Sequence, residues 1–175
     1  DPSFENVTIS GNSATGTTFP KGGGIYCLHS DPSFENVTIS GNHADWDGGG
    51  VYCSHGSSPS FENVTISGNS TSGKGAGVYC DNSDPSFENV TISGNVASTG
   101  GGGVALENSE SSFENVTISD NVANTGAGGV HCISMSYPIF ENVTITGNSS
   151  TLEEIGGLYN GASNAILLNS ILWGN

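Results

Sequence analysis

Six glutamates recur at one position of a repeated phrase, and two aspartates stand in a short loop. The glutamates are Glu5, Glu35, Glu62, Glu88, Glu114 and Glu141, and the loop DWDG (45–48) adds Asp45 and Asp47. Carboxylate oxygens are the ligands that Ca²⁺ prefers. Like charges that stack directly on neighbouring strands destabilise a sheet unless solvent or a cation screens them. The pattern therefore predicts either a solvated acidic face or a Ca²⁺-binding face, with no other cofactor.

Four cysteines also share one equivalent position of the repeat. They are Cys27, Cys53, Cys80 and Cys132, and Leu106 and Asn160 take the position in other repeats. Because leucine can replace cysteine there, we expect an inward apolar position with buried free thiols. Two alternatives stay open: a disulfide between Cys53 and either stacked neighbour, and a zinc site formed by CLH (27–29) and CSH (53–55).

Asparagines close each repeat phrase and also begin sequons for glycosylation. The closing residues are Asn12, Asn42, Asn69, Asn95, Asn121, Asn148 and Asn175. Asparagine tolerates left-handed backbone, and stacked amides bond along a column, so this set predicts a structural ladder. The N-x-[ST] triplets begin at Asn6, Asn36, Asn63, Asn69, Asn89, Asn115, Asn142 and Asn148. Since these triplets arise from the repeat itself, we expect glycosylation only in a glycosylating host and on exposed sites.

The charge of the chain excludes two classes of partner. Lys21 and Lys74 are its only basic residues apart from histidine, against 17 carboxylates, and the formal net charge is −15. Nucleic-acid binding depends on lysine and arginine that displace counterions from phosphates, and docking on anionic lipid needs basic clusters. No apolar run reaches the length of about 18 residues that spans a bilayer. We expect neither nucleic-acid binding nor membrane insertion.

An active site should break the repeat, and few residues do so. Glu153 and Glu154 depart from it, as do Asp45 and Asp47. A glycoside hydrolase needs two carboxylates at a set separation, and a lyase commonly uses a basic residue, but arginine is absent. No Ser-His-Asp grouping or glycine-rich phosphate loop accompanies these carboxylates. The sequence therefore predicts no catalytic residue and a protein that is not an enzyme.

The repeat predicts short strands that stack in columns. The phenylalanine of the phrase returns every 26–30 residues, and LLNSILWGN (167–175) is a degenerate last copy. In Val-Thr-Ile-Ser, Val7 and Ile9 face one way, and in Gly-Ile-Tyr-Cys so do Ile25 and Cys27. Helical periodicity is absent. Each period thus holds two or three strands, and stacked periods form inward columns of valine, isoleucine and phenylalanine.

We therefore expect an all-β fold, a parallel β-helix of about 6–7 coils with 26–30 residues per coil. The chain forms a single domain, residues 1–175, whose repeats start near residues 1, 31, 58, 84, 110, 137 and 164. The sequence begins and stops in phase with the repeat, and neither end shows a polar capping segment. We therefore expect a β-helix with uncapped ends.

The paired phrases ISGN and GGG[IV] resemble the FxxN and GGA[ILV] motifs of polymorphic-membrane-protein autotransporter passengers. They are also similar to the wider group of bacterial right-handed parallel β-helix repeat proteins. The resemblance covers the whole chain, although isoleucine replaces the phenylalanine of the passenger motif and GGG replaces GGA. It implies a right-handed, pectin-lyase-like helix on a secreted or cell-surface protein that is usually adhesive.

These features favour a non-catalytic structural repeat protein, extracellular or on the cell surface. It would be adhesive, with a surface receptor or glycan as partner, or would assemble end to end into filaments with itself. Alternatively, the chain is a segment whose partners are neighbouring coils of a longer solenoid. Two further alternatives are a polysaccharide-binding or polysaccharide-degrading domain and an ice-binding β-helix that uses the Thr and Ser columns.

Overall fold

The chain folds as a parallel β-solenoid of about six turns. The structure is a computed structural model that describes residues 1–152 and 155–175. Each coil adds one short strand to each of four parallel sheets, which we name sheets A to D in the order the chain meets them. The all-β solenoid predicted from the repeat is thus confirmed. No helix in the described ranges is long and apolar enough to cross a membrane.

The four sheets contain the following strands. Sheet A is formed by Ser3–Glu5, Ser33–Glu35, Ser60–Glu62, Ser86–Glu88, Ser112–Glu114, Ile139–Glu141 and Ile166–Leu168. Sheet B is formed by Thr8–Ser10, Thr38–Ser40, Thr65–Ser67, Thr91–Ser93, Thr117–Ser119, Thr144–Thr146 and Ile171–Trp173. Sheet C is formed by Ser13–Ala14, His43–Ala44, Ser70–Thr71, Val96–Ala97, Val122–Ala123 and Ser149–Ser150. Sheet D is formed by Ile25–Leu28, Val51–Ser54, Val78–Asp81, Val104–Glu107, Val130–Ile133 and Leu158–Asn160.

Each strand pairs with its own copy in the next coil, residue for residue. Phe34 lies opposite Phe61 in sheet A, and Ile39 lies opposite Ile66 in sheet B. A slip of one residue would turn every inward side chain toward solvent, so the identical phrases fix the register. The repeat therefore becomes a set of columns that run along the rod.

The sequence predicts two or three strands per coil, whereas the structure has four. Val-Thr-Ile-Ser is not one strand, because Asn36 has a left-handed φ of 54° and turns the chain just before Val37. The strand begins at Thr38, yet Val37 still faces the core with 1% of its surface exposed. The additional strand is the two-residue segment of sheet C, such as His43–Ala44, which is too short for periodicity to reveal.

The core consists of stacked apolar columns. Neighbouring phenylalanine rings of sheet A lie nearly parallel, with centroids 4.7–5.0 Å apart and interplanar angles of 5–18°. Leu167 takes the place of phenylalanine opposite Phe140 in the last strand of this sheet. Buried valine and isoleucine columns lie beside the rings, and the cysteines of sheet D close the core.

A column of buried asparagine amides follows sheet B at the corner before sheet C. The backbone N–H and the Nδ2 of Asn69 both donate to Oδ1 of Asn95, at 2.9 and 3.0 Å. Nδ2 also donates to the carbonyl of Ile39 in the preceding coil, at 3.0 Å. The left-handed backbone that we expected at these asparagines belongs to the preceding residue instead, for example Gly68 with φ 62°. Each amide therefore ties three successive coils together.

Candidate functional site

The glutamate column lies on the outer surface of sheet A. Glu62 and Glu88 stand opposite each other in register, and both are exposed. Asp45 and Asp47 instead make hydrogen bonds near the corner between sheets C and D. Within residues 1–152 and 155–175, no group of three or more His, Cys, Asp or Glu side chains is placed where it could hold a metal ion. The eight carboxylates thus do not converge on one site, and Ca²⁺ binding at the glutamate column or at Asp45 and Asp47 stays a prediction.

We expect Ca²⁺ to raise the melting temperature by about 2–4 °C, which corresponds to about 1 kcal/mol. The physical reason is that a divalent cation screens like charges that repeat about every 4.8 Å along the column. Circular dichroism melts after EDTA treatment and after addition of CaCl₂ measure the shift, with NaCl at equal ionic strength as control. The double variant Glu88→Gln, Glu114→Gln should show a smaller response. A melting temperature that neither EDTA nor Ca²⁺ changes would contradict Ca²⁺ binding by this column.

The cysteines are buried free thiols in the structure. Cys53 pairs in register with Cys27 and Cys80, while Cys132 stands opposite Leu106. A hydrogen bond from Cys53 lowers the pKa of the Cys27 thiol, and the same contact raises the pKa of Cys53. Burial raises the pKa of Cys132 to about 12. The thiols are therefore held as apolar core groups.

The zinc alternative fails on geometry. His29 and His55 lie past the ends of their strands in left-handed backbone, with φ of 49° and 57°. Their exposed rings contact each other, with centroids 5.3 Å apart, whereas the thiols of Cys27 and Cys53 lie in the core. Because the imidazoles and thiols lie on opposite sides of the sheet, the two Cys-x-His pairs do not form one ligand set.

The sequons divide into two groups. Asn69 and Asn148 are 0% and 1% exposed and belong to the amide ladder, so these two cannot accept a glycan in the folded chain. The other six are exposed at the turn between sheets A and B, with φ of 54–55°: Asn6, Asn36, Asn63, Asn89, Asn115 and Asn142. Glycosylation of this exposed column stays a prediction that depends on the host.

The outer face of sheet D departs most from the repeat. Its outward column reads Tyr26, Tyr52, Tyr79, Ala105, His131 and Tyr159. Both lysines of the chain lie here, each five positions before a tyrosine in KGGGIY (21–26) and KGAGVY (74–79). Tyr52 and Tyr79 are nevertheless only 1% and 5% exposed, because the loops between sheets C and D cover them. We missed this cluster in the sequence, although the placement of the two lysines signals it.

The cluster is a network of phenols, ammonium groups and carboxylates. Lys21 Nζ donates to the Tyr52 hydroxyl at 2.7 Å and lies 4.5 Å from the centre of its ring. Glu107 accepts from the Tyr79 hydroxyl at 2.7 Å and from Lys74 Nζ at 3.2 Å. All three hydrogen bonds reach from one coil to the next. The network thus joins coils outside the main core.

The environment fixes the protonation of these groups. Burial raises the pKa of Tyr52 and of Tyr79, and the facing carboxylates raise it further, so both phenols remain donors. Burial also acts to raise the pKa of Glu107, but hydrogen bonds from Tyr79 and Lys74 outweigh it and hold that pKa below its usual value. Glu107 is therefore an ionised acceptor. Its carboxylate is engaged in hydrogen bonds with Tyr79 and Lys74, whereas a general acid or base needs a carboxylate that can reach a substrate.

A cleft of about 270 Å³ adjoins this network at the corner between sheets C and D. We call it the Trp46 cleft, and its lining is Trp46, Asp47, Ser72, Gly73, Lys74 and Thr99. Trp46 is 46% exposed, whereas Asp47 is 9% exposed. Burial raises the pKa of Asp47 despite the hydrogen bond from the Lys74 backbone N–H and the nearby lysine charges. Glu153 and Glu154, which also break the repeat, lie outside the described residues.

Opposite pKa shifts predict opposite pH profiles for two variants. A carboxylate whose pKa is lowered in the folded state contributes stability above its unfolded pKa, and this stability is lost as the pH falls through the folded pKa. A carboxylate whose pKa is raised in the folded state destabilises the fold at high pH, and this destabilisation disappears as the pH falls through the two pKa values. We expect Glu107→Gln to destabilise the protein at pH 7 but hardly at pH 3, since the pKa of Glu107 is lowered. Asp47→Asn should instead be stabilising at pH 7, since the pKa of Asp47 is raised. Urea denaturation at pH 3, 5 and 7 measures both, and pH-independent effects would contradict the assignment.

The comparisons agree with this architecture. The chain matches the family described as "Right handed beta helix region" over residues 2–134 and 76–175, and it belongs to that family. The right-handed parallel solenoid is thereby confirmed. No match was found among curated proteins or among solved structures. The family match supports the fold, and it does not confirm the more specific resemblance to autotransporter passengers.

Proposed function

We propose that this chain is a non-catalytic structural repeat protein of the cell surface or extracellular space, and that it is adhesive through one side of its rod. One observation carries the proposal: through most coils sheets A and B repeat the same outward side chains in register, whereas the outer face of sheet D and its corner do not. The uniform sheets supply a stiff support. The irregular side supplies exposed aromatic and polar groups on loops, and ligand-binding residues are often found on loops that a rigid scaffold positions.

Adhesion is tested with the purified chain coupled to latex beads. We expect the beads to attach to surfaces coated with polysaccharide or with extracellular matrix protein more than beads coupled to serum albumin do. In parallel, soluble polysaccharides are incubated with the free chain, and new reducing ends or unsaturated products are measured. No release is expected. Attachment no better than albumin would overturn the adhesive role, and product release would overturn the non-catalytic role.

End-to-end assembly is a second candidate, supported by the apolar side chains of the outermost coils. Phe4 and Ile9 line a cleft of about 280 Å³ at one end, and Leu167 and Leu172 are 39% and 43% exposed at the other. Because the coils are nearly identical, a second copy can add its first coil in the register that neighbouring coils already use. Such head-to-tail contacts form filaments when the rotation does not close a ring.

Electron microscopy of dilute protein tests this assembly. Fibres of one solenoid diameter are expected, and Leu172→Asp should abolish them because it places a charge in the contact. Thr91→Asp, at a lateral exposed position, is the matched control and should leave fibres intact. Isolated short rods at every concentration would overturn end-to-end assembly without bearing on lateral adhesion.

A further inference from the structure

The Trp46 cleft is built by loops that do not follow the repeat. The first coil reaches the corner by a long loop that carries Phe19, whose ring meets that of Trp46 edge to face with centroids 4.7 Å apart. The backbone N–H of Trp46 donates to the carbonyl of Pro20 at 3.0 Å, which ties the two loops together. Phe19 and Trp46 remain 62% and 46% exposed. Two exposed aromatic rings are thus fixed against each other at this corner of the rod.

Hydrogen bonds hold the wall of the cleft in position. Thr71 Oγ1 donates to the carbonyl of Trp46, and the backbone N–H of Lys74 donates to Asp47 Oδ1 at 2.8 Å. Gly73 permits this close approach, because a Cβ there would overlap the Trp46 carbonyl oxygen and the Asp47 carboxylate. These contacts fix the backbone of the cleft wall, which lowers the entropy that binding would cost.

Donors and acceptors are mixed around the indole of Trp46. The lining residues carry hydroxyls at Ser72 and Thr99, which both donate and accept, and a carboxylate at Asp47. Lys74 adds an ammonium group that is paired with Glu107 and keeps further N–H donors. An aromatic face beside mixed donors and acceptors matches a ligand that has an apolar face and many hydroxyls. A purely apolar ligand would cover these polar groups without offering them hydrogen bonds.

The charges around the cleft disfavour an ionic ligand. The backbone N–H of Gly22 donates to the carbonyl of Asp47, and that of Gly48 donates to the carbonyl of Lys74. These bonds stack three coils, so that Asp47 lies between Lys21 and Lys74 along the rod. Lys74 is itself paired with Glu107 at 3.2 Å. The charges of Lys21, Lys74 and Glu107 all act on Asp47. The two lysines would repel an added cation, and the two carboxylates would repel an added anion. The local balance therefore favours a neutral ligand, although the chain as a whole carries a charge of −15.

We propose that the Trp46 cleft binds a neutral sugar unit, whose apolar face lies on the Trp46 indole and whose hydroxyls bond to Asp47, Ser72, Lys74 and Thr99. The proposal rests on the adhesive function proposed above, since it names the ligand class of that side of the rod. Phe19, next to Trp46, extends the aromatic surface toward a neighbouring unit of the same glycan.

The two tryptophans allow a direct binding measurement. Trp173 lies in the last strand of sheet B and is 75% exposed, so Trp173→Phe leaves Trp46 as the sole tryptophan of the chain. Its fluorescence is followed during titration with hexaoses of glucose, mannose and N-acetylglucosamine. Oligogalacturonate and the hexamer of glucosamine serve as anionic and cationic comparators. We expect saturable binding of a neutral hexaose and weaker binding of both charged ones.

Variants then locate the site on insoluble polysaccharides. Affinity for a neutral polysaccharide should fall about tenfold or more in Trp46→Ala, which corresponds to about 1.4 kcal/mol or more, because the aromatic platform is lost. Thr99→Ala should weaken it less. Tyr137→Ala is the matched control, since Tyr137 is also 46% exposed and lies outside the cleft. If Trp46→Ala loses the circular dichroism spectrum of the fold, Trp46→Leu and Thr99→Ala carry the test.

Each outcome separates the cleft from the wider function. Beads that adhere while no neutral saccharide binds, or saccharide binding that survives in every folded cleft variant, would overturn the cleft and leave adhesion standing. Tighter binding of a charged oligomer would overturn the argument from charge balance. Absence of both bead adhesion and saccharide binding would overturn the cleft and the adhesive role together.

Discussion

Replacing Asn95 with alanine is expected to lower the free energy of unfolding by about 2–6 kcal/mol, because two buried groups lose their partners at about 1–3 kcal/mol each. The backbone N–H of Asn69 loses the Asn95 Oδ1 acceptor at 2.9 Å. The side-chain Nδ2 of Asn69 loses the same acceptor at 3.0 Å. Neither donor can reach water, since Asn69 is 0% exposed.

The position of Asn95 near the middle of the rod adds to the effect. In a solenoid each coil contacts only its neighbours, so the loss of one interface uncouples the coils on its two sides. Urea denaturation followed by circular dichroism should therefore show an earlier and broader transition. Asn95→Asp keeps the shape but sets an oxygen against the Ile66 carbonyl, so it should destabilise at pH 7 and recover partly as acid protonates it.

Asn12→Ala is the matched control for the ladder. Asn12 is exposed, and its side chain donates to Asn42 Oδ1 at 3.0 Å. Its loss should cost about 0.5–1.5 kcal/mol, the ordinary net value of a hydrogen bond. Equal effects at Asn12 and Asn95 would show that the amides act individually at each turn rather than as a buried ladder.

The sequence predicts the columns well because the repeat fixes them. Identical phrases can stack only in register, so Phe34, Phe61 and their copies must form one column once the fold is a solenoid. The corners are less predictable. The left-handed turn at Asn36 lies just before Val37, and the strand begins only at Thr38. The pattern of apolar residues does not encode this positive φ.

The candidate site depends on the residues that break the repeat, and this limits prediction. Lys21 bonds the tyrosine of the next coil, Tyr52, rather than Tyr26 of its own coil. The Trp46 cleft depends on loops of unequal length, whose paths are set by hydrogen bonds such as that from Trp46 to Pro20. A repeat pattern says where such loops occur, but it does not say which side chains they bring together.

Replacing Phe87 with alanine is expected to lower the free energy of unfolding by about 3–5 kcal/mol, the usual cost of deleting a buried aromatic ring. The Phe87 ring is 1% exposed and lies between those of Phe61 and Phe113, with centroids 4.9 and 4.7 Å away. The gap cannot close easily, because the hydrogen bonds of sheet A hold the coils on both sides of it in register. A cavity would therefore remain where the ring was.

Two further variants separate stacking from simple volume. Phe87→Leu, which copies the natural substitution at Leu167, refills most of the gap and should cost about 1–2 kcal/mol, near the range of volume-conserving swaps. Phe4→Ala removes a ring that has a neighbour on one side only and is already half-buried, so it should cost less than Phe87→Ala. Urea denaturation ranks the three variants. If Phe4→Ala cost as much as Phe87→Ala, the phenylalanine column would not be the continuous core that the stacked rings describe, because its end would be as well packed as its middle.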